Sequence, residues 1–226
     1  MISNNYRKII NELSSLTGLN LLVAGLSYLM TIVIANTLGP NDFGIYSYIM
    51  LWGGFASLII VFSTDSTIPV QYAKLDDKQS VFNITQTIKF FFLLVWAASM
   101  FLWYRYTELG LVISKNPEVL VGLIALTLAS FSFWNFYEIS KKNIKYAKIY
   151  FIERMFYLFL VGFFLYTNSL DILTIFSCLL IATICSLLFQ IKDISNLIKN
   201  FEIENFQSVY MLFKANLPLV LIQLST

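Results

Sequence analysis

The segment Thr37-Leu38-Gly39-Pro40-Asn41-Asp42 decides the fold, because it separates the first two long apolar runs of the chain. Gly39 can end the first helix in a left-handed conformation, and Pro40 prevents that helix from continuing. Asn41 or Asp42 can then accept hydrogen bonds from the free amide groups that begin the next helix. The segment therefore predicts a tight hairpin between two helices.

The composition places these helices in a membrane. Of the 226 residues, 58% are hydrophobic and only 12% are charged, whereas about a quarter of the residues in a soluble domain are charged. Apolar runs of about 20 residues without strict alternation predict membrane-spanning helices rather than barrel strands. We therefore expect an all-α, polytopic membrane protein. Its predicted spans are at about 16–38, 43–66, 84–104, 118–138, 149–167 and 171–191.

A seventh apolar run begins near 209 and is still hydrophobic at Thr226. We therefore expect a chain that stops inside its seventh helix, as a truncated or interrupted protein would. The predicted organisation is a cytoplasmic N-terminal segment at 1–15, a six-helix lobe at 16–191, a cytoplasmic linker at 192–208 and the start of a second lobe at 209–226.

The distribution of basic residues predicts the orientation. With the N-terminus in the cytoplasm, two basic residues, Arg105 and Lys115, lie on the opposite side. Ten lie on the cytoplasmic side: Arg7, Lys8, Lys74, Lys78, Lys141, Lys142, Lys145, Lys148, Lys192 and Lys199. Cytoplasmic loops of membrane proteins carry such an excess of Lys and Arg. We therefore expect a multi-pass protein of the inner, cytoplasmic membrane with a cytoplasmic N-terminus.

Several function classes are disfavoured by the residue inventory. The chain has no histidine, which removes the usual zinc ligand and the commonest general base. The two cysteines, Cys178 and Cys185, are seven residues apart within one predicted helix, too far apart for a disulfide. We expect no catalytic residue, no cofactor, no metal site and no nucleic-acid partner.

The hairpin and the helix after it resemble a known family. The run LGPNDFGIYSY at 38–48, and the run FSTDSTIPVQYA at 62–73, are similar to the start of Wzx-type O-antigen and polysaccharide flippases. Asp65 matches the family pattern, whereas Ser66, Thr67 and Gln71 depart from it. A second similarity, LFKANLPL at 212–219, resembles the opening of the seventh helix in these proteins. The structural motif of the hairpin consists of Gly39, Pro40, Asp42, Phe43, Gly44 and Tyr46.

The resemblance implies a fold and an activity. Members of this exporter superfamily, which includes lipid II flippases and multidrug-and-toxin exporters, have two helical lobes around a central cavity. This chain would supply the first lobe. The implied activity is alternating-access translocation of a polyprenyl-diphosphate-linked O-antigen or polysaccharide repeat unit. The implied partners are membrane lipid and the polyprenyl-linked oligosaccharide, with other polysaccharide assembly proteins as further candidates.

Polar residues on the first two helices are candidates for the substrate pathway. Asn20, Ser27 and Thr31 share a stripe of small residues on helix 1, and Tyr46 and Ser57 share one on helix 2. Such stripes either let membrane helices pack closely or line a hydrated cavity. Both interpretations remain open at this point.

Three charged residues are further candidates. Arg154 lies about one turn into the predicted fifth helix, where it can attract a diphosphate or reach the cytoplasmic headgroups. Asp65 and Lys89 are candidates for binding a coupling ion or for forming a salt bridge.

Two alternative functions are weighed against the flippase. A multidrug exporter of the same fold would need an acidic residue deep in this lobe, and none lies near the middle of the six predicted spans. A membrane-embedded polysaccharide polymerase or ligase would need a large external loop rich in Arg or His. The longest external loop predicted here has about 12 residues, which disfavours the enzyme.

Overall fold

The computed structural model describes residues 2–61, 64, 68, 72, 77–106, 116–203, 210–211, 213–214 and 217–218, with side chains from 17 onwards except those of 103, 104 and 106. Every element in these ranges is a helix. The helices are α1 (Ile2–Val61), α2 (Lys78–Tyr106), α3 (Pro117–Ala129), α4 (Trp134–Ile139), α5 (Asn143–Tyr166), α6 (Ile172–Asp193) and α7 (Ser195–Lys199).

Helix α1 is broken at Gly39, which has φ 74° and ψ 176°, and Pro40 follows the break. Ser27 and Met50 lie on opposite sides of the break and line the same cavity of about 100 Å³. In a continuous helix these two residues would be about 35 Å apart. The chain therefore reverses direction at Gly39, and the two halves of α1 lie side by side.

Two helices begin earlier than the sequence predicts. Helix α2 begins at Lys78 rather than at 84, because the Asp77 carboxylate accepts from the amides of Gln79 (3.0 Å) and Ser80 (3.2 Å). Helix α5 begins at Asn143 rather than at 149. Its first two turns carry lysines, whose long stems allow the charged groups to remain in water beside a membrane.

The predicted span at 118–138 is interrupted. Helix α3 ends at Ala129, and α4 begins at Trp134. The Gln190 side chain accepts from the Phe133 amide (2.8 Å), and the Lys89 ammonium donates to the carbonyls of Ser130 and Ser132. Side chains from α2 and α6 therefore satisfy backbone groups that the interruption leaves outside a helix.

The core lies where α1, α3, α5 and α6 meet. Ile49, Ile175 and Phe176 are fully buried there. A Cβ atom added to Gly122 would clash with Ile49 and lie 3.1 Å from Phe176, so α3 approaches its neighbours too closely for any side chain. Helix α2 packs beside α1, in part through Trp52 and Trp96, whose ring centroids are 6.4 Å apart.

The outer surface of the helices is apolar. Large side chains such as Leu21, Leu94, Phe101, Phe159 and Leu188 are more than 60% exposed. Within the described residues, five helices are long and apolar enough to cross a membrane: Thr17–Val61, Lys78–Leu102, Pro117–Ile139, Asn143–Tyr166 and Ile172–Asp193. This arrangement is compatible with a multi-pass membrane protein. The predicted seventh helix falls mostly outside the described residues, although Phe213 stacks on Phe92 with ring centroids 6.1 Å apart.

Candidate functional site

A polar cavity of about 330 Å³ lies between the second half of α1 and helices α3, α5 and α6. Its size falls at the lower end of the range for ligand pockets. The polar residues that line it are Ser57, Ser130, Ser132, Tyr146, Tyr150, Glu153, Arg154, Thr183, Ser186 and Gln190. In a bundle whose outer surface is apolar, polar groups gathered around a cavity indicate a site for a hydrophilic ligand or for water.

Arg154 is the cation of this cavity. It lies eleven residues after the first residue of α5 and twelve before the last, so the prediction of a place one turn from the helix end is wrong. The earlier start of α5, at Asn143, is the reason. A cation within an apolar helix is costly unless it faces a polar interior, and Arg154 lines the polar cavity.

The guanidinium of Arg154 contacts Tyr150 on one side. Its Nη2 donates to the Tyr150 hydroxyl (2.9 Å), and the group lies 4.8 Å from the centre of the Tyr150 ring. Its Nε is buried and has no hydrogen-bond partner in the described part of the chain. The Thr183 hydroxyl, which lines the same cavity, is also buried without a partner. Two unused polar groups therefore border the cavity, and each can donate to an anionic or hydroxylated ligand.

A second cavity of about 100 Å³ adjoins the first. It lies between the two halves of α1 and α5, and it shares Met50 and Arg154 with the larger cavity. Its polar lining comes from Ser27, Thr31, Tyr46, Arg154 and Tyr157. Arg154 thus stands between two cavities of the same bundle.

Glu153 lies beside Arg154, near the middle of α5. The prediction that no acidic residue lies near the middle of a span is therefore wrong, again because α5 begins six residues earlier than expected. Ser186 of α6 lines the same cavity as Glu153. Gln190 in turn donates to the Ser186 hydroxyl (3.1 Å). Glu153, Ser186 and Gln190 thus contribute to the polar wall that α5 and α6 give to the cavity.

Lys89 has a different environment. Its side chain is buried, and its ammonium lies 3.4 Å from the Ser130 carbonyl and 3.3 Å from the Ser132 carbonyl. A cation beside the last carbonyls of α3 interacts favourably with the helix dipole. Lys89 therefore stabilises the interruption between α3 and α4.

The structure places the other predicted residues as follows. Ser27, Thr31 and Tyr46 meet Arg154 at the smaller cavity, and Ser57 meets it at the larger. Asn20 is exposed and lines neither cavity. Asp65 lies outside the described residues.

The stripe of small residues that includes Ser57, on the second half of α1, both packs against a neighbouring helix and lines a cavity. Gly53 lines the larger cavity, and a Cβ atom at this position would clash with the side chain of Leu126. Close packing of α1 on α3 and cavity lining therefore occur along the same stripe.

Sequence reasoning missed the contribution of α6. Thr183, Ser186 and Gln190 are spaced at i, i+3 and i+7 in an otherwise apolar helix, which places them on one face. This periodicity was available as a signal for the polar wall of the cavity.

Comparisons with protein-family models, with curated proteins and with solved structures return no match to this chain. The fold and the site by themselves define a class, an all-helical bundle with an apolar exterior and a polar cavity centred on an arginine.

Proposed function

We propose that this chain is the first lobe of a flippase that moves a polyprenyl-diphosphate-linked O-antigen or polysaccharide repeat unit across the inner membrane by alternating access. In this proposal α1 crosses the membrane twice, because it reverses at Gly39, and the lobe has six crossings with a cytoplasmic N-terminus. The resemblance of the hairpin motif to flippases supports the proposal.

The observation that carries the proposal is the position of Arg154. A lipid-linked glycan presents a diphosphate and sugar hydroxyls to the interior of the transporter, while its hydrocarbon remains in the bilayer. Arginine suits phosphate, because its planar group offers several donors at once. Its buried Nε has no partner among the residues that the structure describes, so a phosphate oxygen would supply one without displacing a described hydrogen bond.

Complementation of a bacterial strain that lacks its polysaccharide flippase tests the proposal. The strain must assemble the glycan of the organism that supplies this chain. The 226-residue chain is compared with a form extended by any coding sequence that follows Thr226, each with wild-type Arg154 and with Arg154→Gln. Arg105→Gln, which removes an exposed arginine of α2, is the matched control.

We expect surface polysaccharide to be restored by the extended wild-type and extended Arg105→Gln forms and not by the 226-residue chain, because alternating access needs both lobes. Arg154→Gln should reduce flipping by roughly tenfold or more, the equivalent of one lost charge-assisted hydrogen bond. Equal activity of the Arg154→Gln and Arg105→Gln forms would contradict the role assigned to the cavity. If no form restores the polysaccharide, the flippase proposal itself fails.

Glu153 favours a second candidate function, a multidrug or toxin exporter of the same fold. A carboxylate near the middle of a span, beside aromatic rings such as Tyr150, can bind an organic cation. Resistance of cells to cationic dyes separates the two candidates. An exporter would lose resistance with Glu153→Gln and keep it with Arg154→Gln, whereas a flippase would confer no resistance in either form.

A further inference from the structure

The short helix α4 (Trp134–Ile139) lies between two joints in the backbone. The interruption at 130–133 precedes it, and a turn follows it in which Lys141 has φ 55°, in the left-handed region. A helix of this length has little stability of its own, and the side chain of Phe133 does not cap its first turn. The position of α4 therefore depends on the contacts that neighbouring helices make with it.

Two polar side chains of α6 hold α4 in place. The Gln190 side-chain oxygen accepts from the Phe133 amide (2.8 Å), and the Asp193 carboxylate accepts from the Tyr137 hydroxyl (2.8 Å). The same carboxylate forms a salt bridge with Lys145 of α5. The last turn of α6 is thus hydrogen-bonded to the beginning and to the middle of α4.

One end of the polar cavity lies against α4. Ser132, Tyr146 and Gln190 line the cavity. Ser132 directly precedes Phe133, the residue whose amide Gln190 accepts from, and the ring centroid of Tyr146 lies 5.6 Å from that of Tyr137. Helix α4 therefore covers the end of the cavity at which these three residues lie.

The apolar contacts of α4 lie away from the cavity. Phe136 is buried in a cluster with Phe82 of α2 and with Ile194, which follows α6, and the two phenylalanine ring centroids are 5.0 Å apart. None of these three residues lines the cavity. A rotation of α4 about this cluster would keep its apolar contacts and break its two hydrogen bonds to α6. Water can replace such hydrogen bonds at a small net cost in free energy.

We propose that α4 is a gate of the polar cavity, which pivots at the interruption at 130–133 and opens the cavity to water on the side of α6. Tyr137 and Gln190 are positioning residues that hold the gate closed. This inference goes beyond the proposed function, because it concerns the access of any hydrophilic ligand to the cavity.

Lys89 of α2 anchors the pivot. Its ammonium donates to the carbonyls of Ser130 and Ser132. An ammonium on a flexible stem carries three donors that can rotate, so these contacts can persist while the backbone turns. The joint is therefore held at a fixed place, and the helix after it is free to move once its hydrogen bonds to α6 are broken.

The test measures how fast a water-soluble reagent reaches the cavity. Ser57 on the cavity wall is replaced by cysteine, and Cys185 by alanine, in the whole chain in nanodiscs of phosphatidylethanolamine and phosphatidylglycerol. The rate of modification by the anionic reagent sulfonatoethyl methanethiosulfonate is measured by mass spectrometry. The native Cys178 is only 1% exposed in the core, so its modification reports unfolding of the bundle.

Three substitutions are compared in this background. Tyr137→Phe removes one hydrogen bond and keeps the ring, so it should raise the rate at Ser57→Cys about two- to tenfold. Gln190→Met should raise it about tenfold or more, because the closed gate then contains an unsatisfied amide that opening exposes to water. Tyr166→Phe, at a position that is 87% exposed at the other end of α5, is the matched control and should not change the rate. Cys178 should stay unmodified throughout.

Two results would overturn the gate. If Ser57→Cys reacts equally fast with Tyr137→Phe, Gln190→Met and Tyr166→Phe, access to the cavity does not depend on α4. If Cys178 becomes reactive together with Ser57→Cys, the substitutions unfold the bundle instead of opening it. The measurement requires no substrate, so failure of the complementation experiment and failure of the gate are separate outcomes.

Discussion

Replacement of Gln190 by methionine should destabilise the bundle without leaving a void. Gln190 is buried, and its amide joins α6 to the interruption between α3 and α4. Methionine has a similar length and shape but neither accepts strongly from the Phe133 amide nor donates to Ser186. The substitution therefore removes two hydrogen bonds while it keeps the packing almost unchanged.

The expected cost is about 2–3 kcal/mol. The Phe133 amide lies after the end of α3, so no carbonyl of that helix can accept its hydrogen bond once Gln190 is replaced. An unsatisfied buried donor costs about 1–3 kcal/mol. The hydrogen bond from Gln190 to Ser186 lies within α6, and an intramolecular hydrogen bond contributes about 0.5–1.5 kcal/mol. The first of the two losses should dominate.

Reversible unfolding in mixed micelles by sodium dodecyl sulfate measures the effect. Trp134, which begins α4, provides a fluorescence signal close to the change. Lys192→Met introduces the same side chain two residues later on an exposed position, and it should leave the free energy of unfolding within about 0.5 kcal/mol of the wild type. If Gln190→Met is as stable as Lys192→Met, the interruption does not depend on the amide.

Two further predictions concern packing and pH. Gly122→Val should cost about 1–3 kcal/mol in the same unfolding assay, because the core around it is full. Gly162→Val is its control, because an added Cβ there would contact no described atom within 4 Å, and an equal cost for both would contradict the packing argument. The pKa of the Asp77 carboxyl lies below its ordinary value of 3.8, because the Ser80 hydroxyl and two amides donate to it. Its capping contribution is therefore present above that value and is lost as the pH falls through the lower pKa of the folded state. Hydrogen exchange at the Ser80 amide should follow this pH dependence in the wild type and lose it in Asp77→Asn, and a pH-dependent profile in the variant would refute the assignment.

The sequence predicts the reversal at Gly39 well, because a glycine followed by proline acts locally. It predicts the start of α5 poorly. Lys145 and Lys148 suggested a loop outside the membrane, but lysine is a good helix former, and α5 runs through both positions. This one boundary moved Arg154 and Glu153 from the end of a helix to its middle, which changed the interpretation of the site.

The interruption between α3 and α4 could not be predicted locally. Residues 129–134 contain neither glycine nor proline, and the backbone groups exposed there are satisfied by Lys89 and Gln190, more than 40 residues away in each direction. Long-range contacts of this kind decide local structure without leaving a signal in the segment itself. The sequence indicates Arg154 as a candidate because a charged residue is rare in an apolar helix. Ser186 and Gln190 are uncharged, and the sequence analysis did not select them.

The reversal at Gly39 also fixes the number of residues between Pro40 and the buried part of the second half of α1. Each residue of a helix advances the side chains by about 100° around its axis. One residue inserted between Pro40 and Tyr46 would therefore rotate Ile49 away from the core and turn Leu51, now 58% exposed, to a new direction. Insertions and deletions should consequently be rare in this interval, and a natural variant that carries one would need compensating substitutions along the whole second half of α1.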